Sequence, residues 1–383
     1  MSNFTLQPIT TRPPVVITGL ALLVIFGFFA VNRLVNRFGE QQKAIARHLY
    51  AQGLSEQKEG KADLAIEHFR SALSYSPENF DYQLQLARVL RDTGRTEEAE
   101  TYLISLWERS PQNGAINLAL GRLAARQHSL DKILQYYHNA IYGVWTTGDS
   151  DQSRFNAWFE LIETLLQQNA RPQAQAELIT MAAELRGRLD LQLRVANLFA
   201  RAQDYEDALN ECRQILAEKP EHPQALADAG QYAFNLGRYR EALHYLEHAV
   251  KVNPGDVQSA QLLQLSRNIL DLDPFLRRIS DTDRIERIRT AFRQAGDRLE
   301  SCARTKNVDL QDQTSSSPLV KLEFEWLQAR PRVTRLRVVD TDFENSTMDL
   351  VFQVEQVTQK ECGPPSGLDQ ALLLLAQNPG VEQ

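Results

Sequence analysis

His244, Glu247 and His248 stand as His-Tyr-Leu-Glu-His, a short motif whose residue types and spacing could do chemistry. Two histidines one helical turn apart can hold zinc, and a glutamate between them can act as the base of a hydrolase. No third ligand is apparent in the sequence. Arg88, Arg91, Arg122 and Arg126 form a second group, and Asn197, Arg201, Gln231 and Asn235 extend it as a polar track. Guanidinium forks suit carboxylates on an acidic segment or a chain terminus. Cys302 and Cys362 form a third group, and their pairing would require an oxidising compartment. The chain has no Gly-rich phosphate loop, no G-x-S-x-G elbow and no Cys-x-x-Cys. No cofactor is implied.

The elements that must position these groups follow a period of 34 residues. Pro77 and Pro111 are one period apart, as are Pro220 and Pro254. The same offset links Gly60 to Gly94, Ala65 to Ala99, Ala87 to Gly121, Ala196 to Gly230 and Ala208 to Ala242. A fixed period of this length signals stacked supersecondary units. Each unit reads as a helical hairpin. A small residue (Gly53, Gly121, Gly230) lies mid-way along the first helix, where a bulky side chain would hold the two helices apart. A glycine (Gly60, Gly94, Gly237) ends that helix in the left-handed conformation, and the proline closes the unit. A single unit cannot bury its apolar face, so the array is stable only as a stack.

About six units run from Ala46 to Asp256, with a polar insertion over 148–154 that breaks the register. The clearest unit carries Gly230-Gln231-Tyr232, Gly237 through Leu243, Ala249 and Pro254. These residues resemble the tetratricopeptide repeat. The resemblance implies an all-α, right-handed α-solenoid whose concave groove, lined by first helices, binds peptides or partner proteins without catalysis. Arg88 and Arg122 are one repeat apart on equivalent first-helix faces, so a groove reading makes them candidate contacts for an acidic partner. The lysine and asparagine pattern by which some members clamp chain-terminal carboxylates is not reproduced. The register also disposes of the zinc motif. Leu246 and Ala249 are packing residues of the repeat, which leaves His244 and His248 on the outward face. Cys212 falls on a second-helix core face and reads as a small buried hydrophobe.

Outside the array, residues 1–14 read as a tail and 15–33 as a transmembrane helix. No charge falls between Arg12 and Arg33, an interval that spans about 30 Å as a helix and matches the hydrocarbon core. A cleaved signal peptide would want a shorter apolar run with small residues before the cut, whereas Phe28 and Phe29 crowd that exit. Arg33, Arg37, Lys43 and Arg47 against Arg12 favour, by a small margin, a cytoplasmic soluble part. The pairing of Cys302 with Cys362 points to the opposite, extracytoplasmic side.

Beyond the repeats, 257–272 is expected as a helix capping the stack and 275–383 as a helical module, with short strands left open around Val333–Val339. The Leu372–Leu375 run offers a second docking tip or a packed helix. A net charge of −7 lacks the basic footprint of a nucleic-acid binder. The chain thus reads as a membrane-anchored adaptor, with an assembly chaperone for membrane or exported chains as the alternative. The oligomeric state is left open.

Overall fold

The computed structural model describes residues 13–377 apart from 147, 186, 313 and 339, so the tail expected over 1–14 lies almost wholly outside the described residues. Among the described residues there are seventeen helices. They are α1 (Pro13–Lys58), α2 (Ala62–Tyr75), α3 (Phe80–Asp92), α4 (Thr96–Arg109), α5 (Gly114–Arg126), α6 (Leu130–Ile141) and α7 (Ser150–Gln167). Then come α8 (Arg171–Glu184), α9 (Leu189–Arg201), α10 (Tyr205–Glu218), α11 (Pro223–Asn235), α12 (Tyr239–Val252) and α13 (Val257–Leu272). The last four are α14 (Asp281–Lys306), α15 (Pro318–Thr334), α16 (Thr341–Cys362) and α17 (Gly367–Gln377). The helices fall into two compact units, one up to Thr164 and one from Leu165.

Within the first unit the hairpins α1–α2, α3–α4 and α5–α6 share one design. A Cβ on Gly53 would come within 2.6 Å of the Phe69 ring, and one on Gly121 within 2.7 Å of the Tyr137 ring. In the second unit a Cβ on Gly230 would sit 2.6 Å from Leu246. The interval is sixteen residues each time, so a small residue on the first helix receives a large one from the second. Gly60, Gly94 and Gly237 end their helices at φ of +77°, +83° and +73°. His128, Asn169 and Gln203 adopt the same left-handed turn with side chains, so the repeat holds where glycine is missing. First helices are capped in register. Asn79 accepts from the Tyr82 amide, Asn113 from Ala115 and Ile116, His222 from Ala225, and Asp256 from Ser259.

Between the turns at His128 and Asn169 the period stretches to 41 residues, seven more than elsewhere. The insertion accounts for those seven, but it is not simply a loop. Gly148 turns the chain at φ +76°, Asp149 accepts from the Asp151 and Gln152 amides, and α7 starts at Ser150 and runs eighteen residues. Just upstream, Val144 donates to the Gln112 carbonyl and accepts from the Gly114 amide, returning the chain to the start of α5.

The helix that carries the apolar N-terminal segment does not end at residue 33. α1 continues unbroken to Lys58, so the candidate span and the first helix of the first hairpin are one 46-residue rod. No proline interrupts it after Pro14, and a single glycine such as Gly39 costs only about 1 kcal/mol. Among the described residues α1 is the one helix long and apolar enough to cross a membrane. Its side chains from Leu20 to Phe38 lie exposed, with nothing among the described residues covering them.

In the second unit the last repeat and the C-terminal segment share one core. Tyr239 of α12 and Ile269 and Leu272 of α13 pack with Ile288, Phe292, Trp326, Val351 and Leu372. α13 is therefore an internal layer rather than a terminal cap. Phe292 stacks on Trp326 with centroids 3.6 Å apart, which a Cβ at Gly296 would disturb. Val333 and Thr334 finish α15, and no strand occurs among the described residues of 333–338. Ala371, Leu372 and Leu375 are buried, so the Leu372–Leu375 run is core and not a docking tip. Cys302 and Cys362, near the C-terminal ends of α14 and α16, face each other with Cα atoms 5.8 Å apart and sulfurs at bonding distance.

Candidate functional site

The four arginines of the first unit come together, but they are not equivalent. Arg122 of α5 meets Glu160 of α7 through two hydrogen bonds of 2.6 Å each, and the Tyr137 hydroxyl donates to the same carboxylate at 2.8 Å. This fork is occupied from within the chain, which corrects its reading as an open partner contact. Arg91 is 90% covered and its Nε and Nη2 donate to Asp92 at 2.9 and 2.8 Å. Arg126 is exposed, 3.9 Å from the same aspartate.

Arg88 differs from these three. It is half-buried with no carboxylate partner among the described residues, and its Nε, like Nη1 of Arg91, is buried without a hydrogen-bond partner. Burial, together with the like charges of Arg122 and Arg91, pushes its pKa down, while Tyr50 and Asp81 oppose that shift. Glu160 keeps its charge instead: burial would raise its pKa, yet the hydrogen bonds and charge of Arg122 hold it below the ordinary value. Tyr50 of α1 stacks on Tyr82 of α3 at 4.5 Å, and Gln85 donates to Gln57 one turn below Arg88. First helices of successive hairpins thus present a surface of aromatics, amides and one uncompensated guanidinium.

The second unit gives a different surface. Asn197 is used internally, donating to the Leu193 carbonyl and accepting from the Tyr232 hydroxyl. Arg201 is exposed. Gln231 and Asn235 line a cleft with α13 and α17, and Gln231 accepts from Gln258 at 3.2 Å. The sequence identified two lining residues of that cleft. It missed Gln258, Gln261, Asn268 and Gln370, because only the folded chain brings α17 beside α11 and α13.

His244, Glu247 and His248 lie exposed on α12. Glu247 accepts from Arg267 at 2.8 Å, and no group of three or more potential ligands that could hold a metal occurs among the described residues. Cys212 is buried and its thiol pKa is pushed up by burial, as befits a packing residue.

Family profiles described as "Tetratricopeptide repeat" match residues 57–123 and 196–267. No curated protein sequence matches the chain. Solved structures that resemble it include the C-terminal part of a TPR repeat-containing protein from Cytophaga hutchinsonii, at 13% identity and a TM-score of 0.42, covering 58% of this chain and 86% of that one. A tetratricopeptide repeat protein from Parabacteroides merdae gives 15% and 0.37 over 66% of this chain and 92% of that one. PilF of Pseudomonas aeruginosa gives 16% and 0.37 over 57% and 97%. The sequence profiles, rather than these superpositions, carry the assignment. The two matched stretches fall on hairpins described above, and over them the chain carries tetratricopeptide repeats.

Proposed function

We propose that the chain is a membrane-anchored scaffold that recruits an acidic protein segment at Arg88. The fold points to protein–protein interaction, and one observation supports Arg88 as its contact. Arg91, Arg122 and Arg126 each have a carboxylate within the chain, whereas Arg88 has none within hydrogen-bonding reach among the described residues and keeps a buried, unpaired Nε. Leaving a buried charged donor unmatched is costly, so an incoming carboxylate would gain both a charge-assisted bond and relief from the neighbouring arginines. A fluorescent Asp/Glu-rich decapeptide titrated against the full-length protein in detergent micelles tests this. Arg88→Gln is expected to weaken binding at least tenfold, and added salt should weaken wild-type binding. Equal affinity of the variant would remove Arg88 from the account.

α1 supplies the anchor in this reading. Because the rod is continuous, the first hairpin is held at a fixed distance from the bilayer: from Arg33 to Ala46 the helix rises about 20 Å. The facing cysteines support an oxidising compartment for the soluble part, against the small charge margin that favours the cytoplasm.

A further inference from the structure

α1 carries more apolar surface than a bilayer can cover. Leu34, Phe38 and Ile45 lie beyond Arg33 and are 70%, 62% and 45% exposed. At 1.5 Å per residue Ile45 stands about 18 Å past Arg33, whereas the headgroup layer adds only about 5–8 Å to the hydrocarbon core. Lipid therefore accounts for the side chains up to Val31 and leaves Phe38 and Ile45 at or beyond the headgroups. Apolar side chains aligned on one face of a helix in water mark an interaction surface.

Their spacing shows what that surface fits. Val24, Val31, Phe38 and Ile45 fall seven residues apart, and Gly27, Leu34, Gln41 and His48 each follow three residues later. Alternating steps of three and four are the heptad of a two-helix seam. The 25 residues from Val24 to His48 make about three and a half heptads, enough for a coiled coil. Arg33, Glu40, Lys43 and Arg47 all lie off the seam, and only Arg37 flanks it. The repeat array uses another side of α1. Ala46 is fully buried with Ala72 and Tyr82, and Gly53 receives the Phe69 ring. Both stand about 130° round the helix from the seam, at 3.6 residues per turn. A second helix can lie along the seam without displacing α2 or α3.

We infer that this seam pairs with the same seam on a second copy of the chain, as a parallel homodimer along α1. The anchor supplies direction and register. Every copy enters the bilayer by the same helix, so every copy presents Leu34, Phe38 and Ile45 at one height. Gln41 then meets its own counterpart, and one carboxamide can satisfy another because each carries donors and an acceptor. A polar residue set among apolar seam positions fixes register and the number of strands. Gly27 lets the two backbones approach closely within the span. An unrelated helix would need the same apolar pattern and an amide at the same height, whereas a second copy has both. The inference rests on the reading of α1 as a membrane anchor. It adds that the Arg88 faces come in pairs, so a partner with two acidic segments gains avidity.

The test uses the full-length protein in its native membrane, produced as two copies with different affinity tags. Single cysteines replace Leu34 or Gln41 on the seam, or Asn36 or Lys43 on the far side, and copper phenanthroline oxidises neighbouring thiols. Cys212 is buried and Cys302 faces Cys362, so the unaltered chain sets the background. Leu34→Cys and Gln41→Cys should give a disulfide-linked pair carrying both tags, at least tenfold above Asn36→Cys and Lys43→Cys. Adding Phe38→Lys with Ile45→Lys to Gln41→Cys should cut that pair at least tenfold. Both side chains are exposed in the single chain, so circular dichroism should show the fold retained. Equal yield from the two faces would overturn the seam, and an adduct with a different protein in place of the second tag would overturn the second copy. No adduct, from a protein that still resists alkaline carbonate extraction, would overturn the pairing and leave the anchor standing. Release by carbonate would overturn the anchor and the pairing together.

Discussion

Arg122 and Glu160, 38 residues apart, are joined by two hydrogen bonds of 2.6 Å that bind the third hairpin to the helix formed after the insertion. That pair is why two arginines one repeat apart do different work. Arg122 is neutralised within the chain, and Arg88 has no carboxylate partner among the described residues. Replacing Glu160 by Gln should lower stability by only ~1 kcal/mol, because both side chains are about a third exposed. It should also raise affinity for the acidic decapeptide, since a second fork is freed. Thermal unfolding and the peptide titration check the two effects together.

The small residues at hairpin crossings should tolerate no side chain. Gly230→Ala places a Cβ 2.6 Å from Leu246, and a cost of ~1–3 kcal/mol is expected from overpacking. Gly255→Ala meets only the Asn253 side chain at 3.6 Å and should be nearly silent. Denaturant midpoints of the two variants provide the comparison.

Glu355 gives the C-terminal core a pH dependence. It is fully buried and neither carboxylate oxygen has a hydrogen-bond partner. Burial first, then the charge of Asp369, pushes its pKa up to about 8, with Arg298 opposing. The folded state therefore holds a proton that the unfolded state loses near pH 4.5, so this group makes stability fall as pH rises between about 4.5 and about 8. Glu355→Gln should remove that slope and raise the melting temperature at pH 8 by several degrees. Melting curves across that range would show it, and an unchanged slope would exclude Glu355 as its source.

Cys302 and Cys362 close a loop of 60 residues across α14 and α16. Chain-entropy arguments give such a cross-link ~4 kcal/mol, so Cys302→Ser with Cys362→Ser should lower the melting temperature of the non-reduced protein markedly. Blocking free thiols in intact cells before lysis, then reducing and labelling, should reveal both cysteines as oxidised. Rapid labelling without reduction would place the soluble part in a reducing compartment.

Much of the fold was legible because its period rests on sterics. A hairpin needs a small residue where its helices cross and a left-handed residue where it turns, and Gly53, Gly121, Gly230, Gly60, Gly94 and Gly237 report both. The turns at His128 and Gln203 were hidden because non-glycine residues accept the same conformation at modest cost. The site was less legible. Register brought Arg88 and Arg122 to one face, but nothing local pairs Arg122 with Glu160 across the insertion. Nor does spacing show that Arg91 folds back on Asp92, or that α17 returns to wall the cleft beside Gln231. The continuity of α1 escaped notice because hydropathy changes at Arg33 while helical propensity does not.

The central claim is that the first unit holds an acidic partner at Arg88. Its most direct test is photo-crosslinking of the full-length protein in its native membrane from position 85, one turn from Arg88, with position 101 on an outer helix as the reference. The account predicts a discrete adduct from position 85 that Arg88→Gln abolishes, and none from position 101. An adduct of equal yield in the Arg88→Gln background would contradict it.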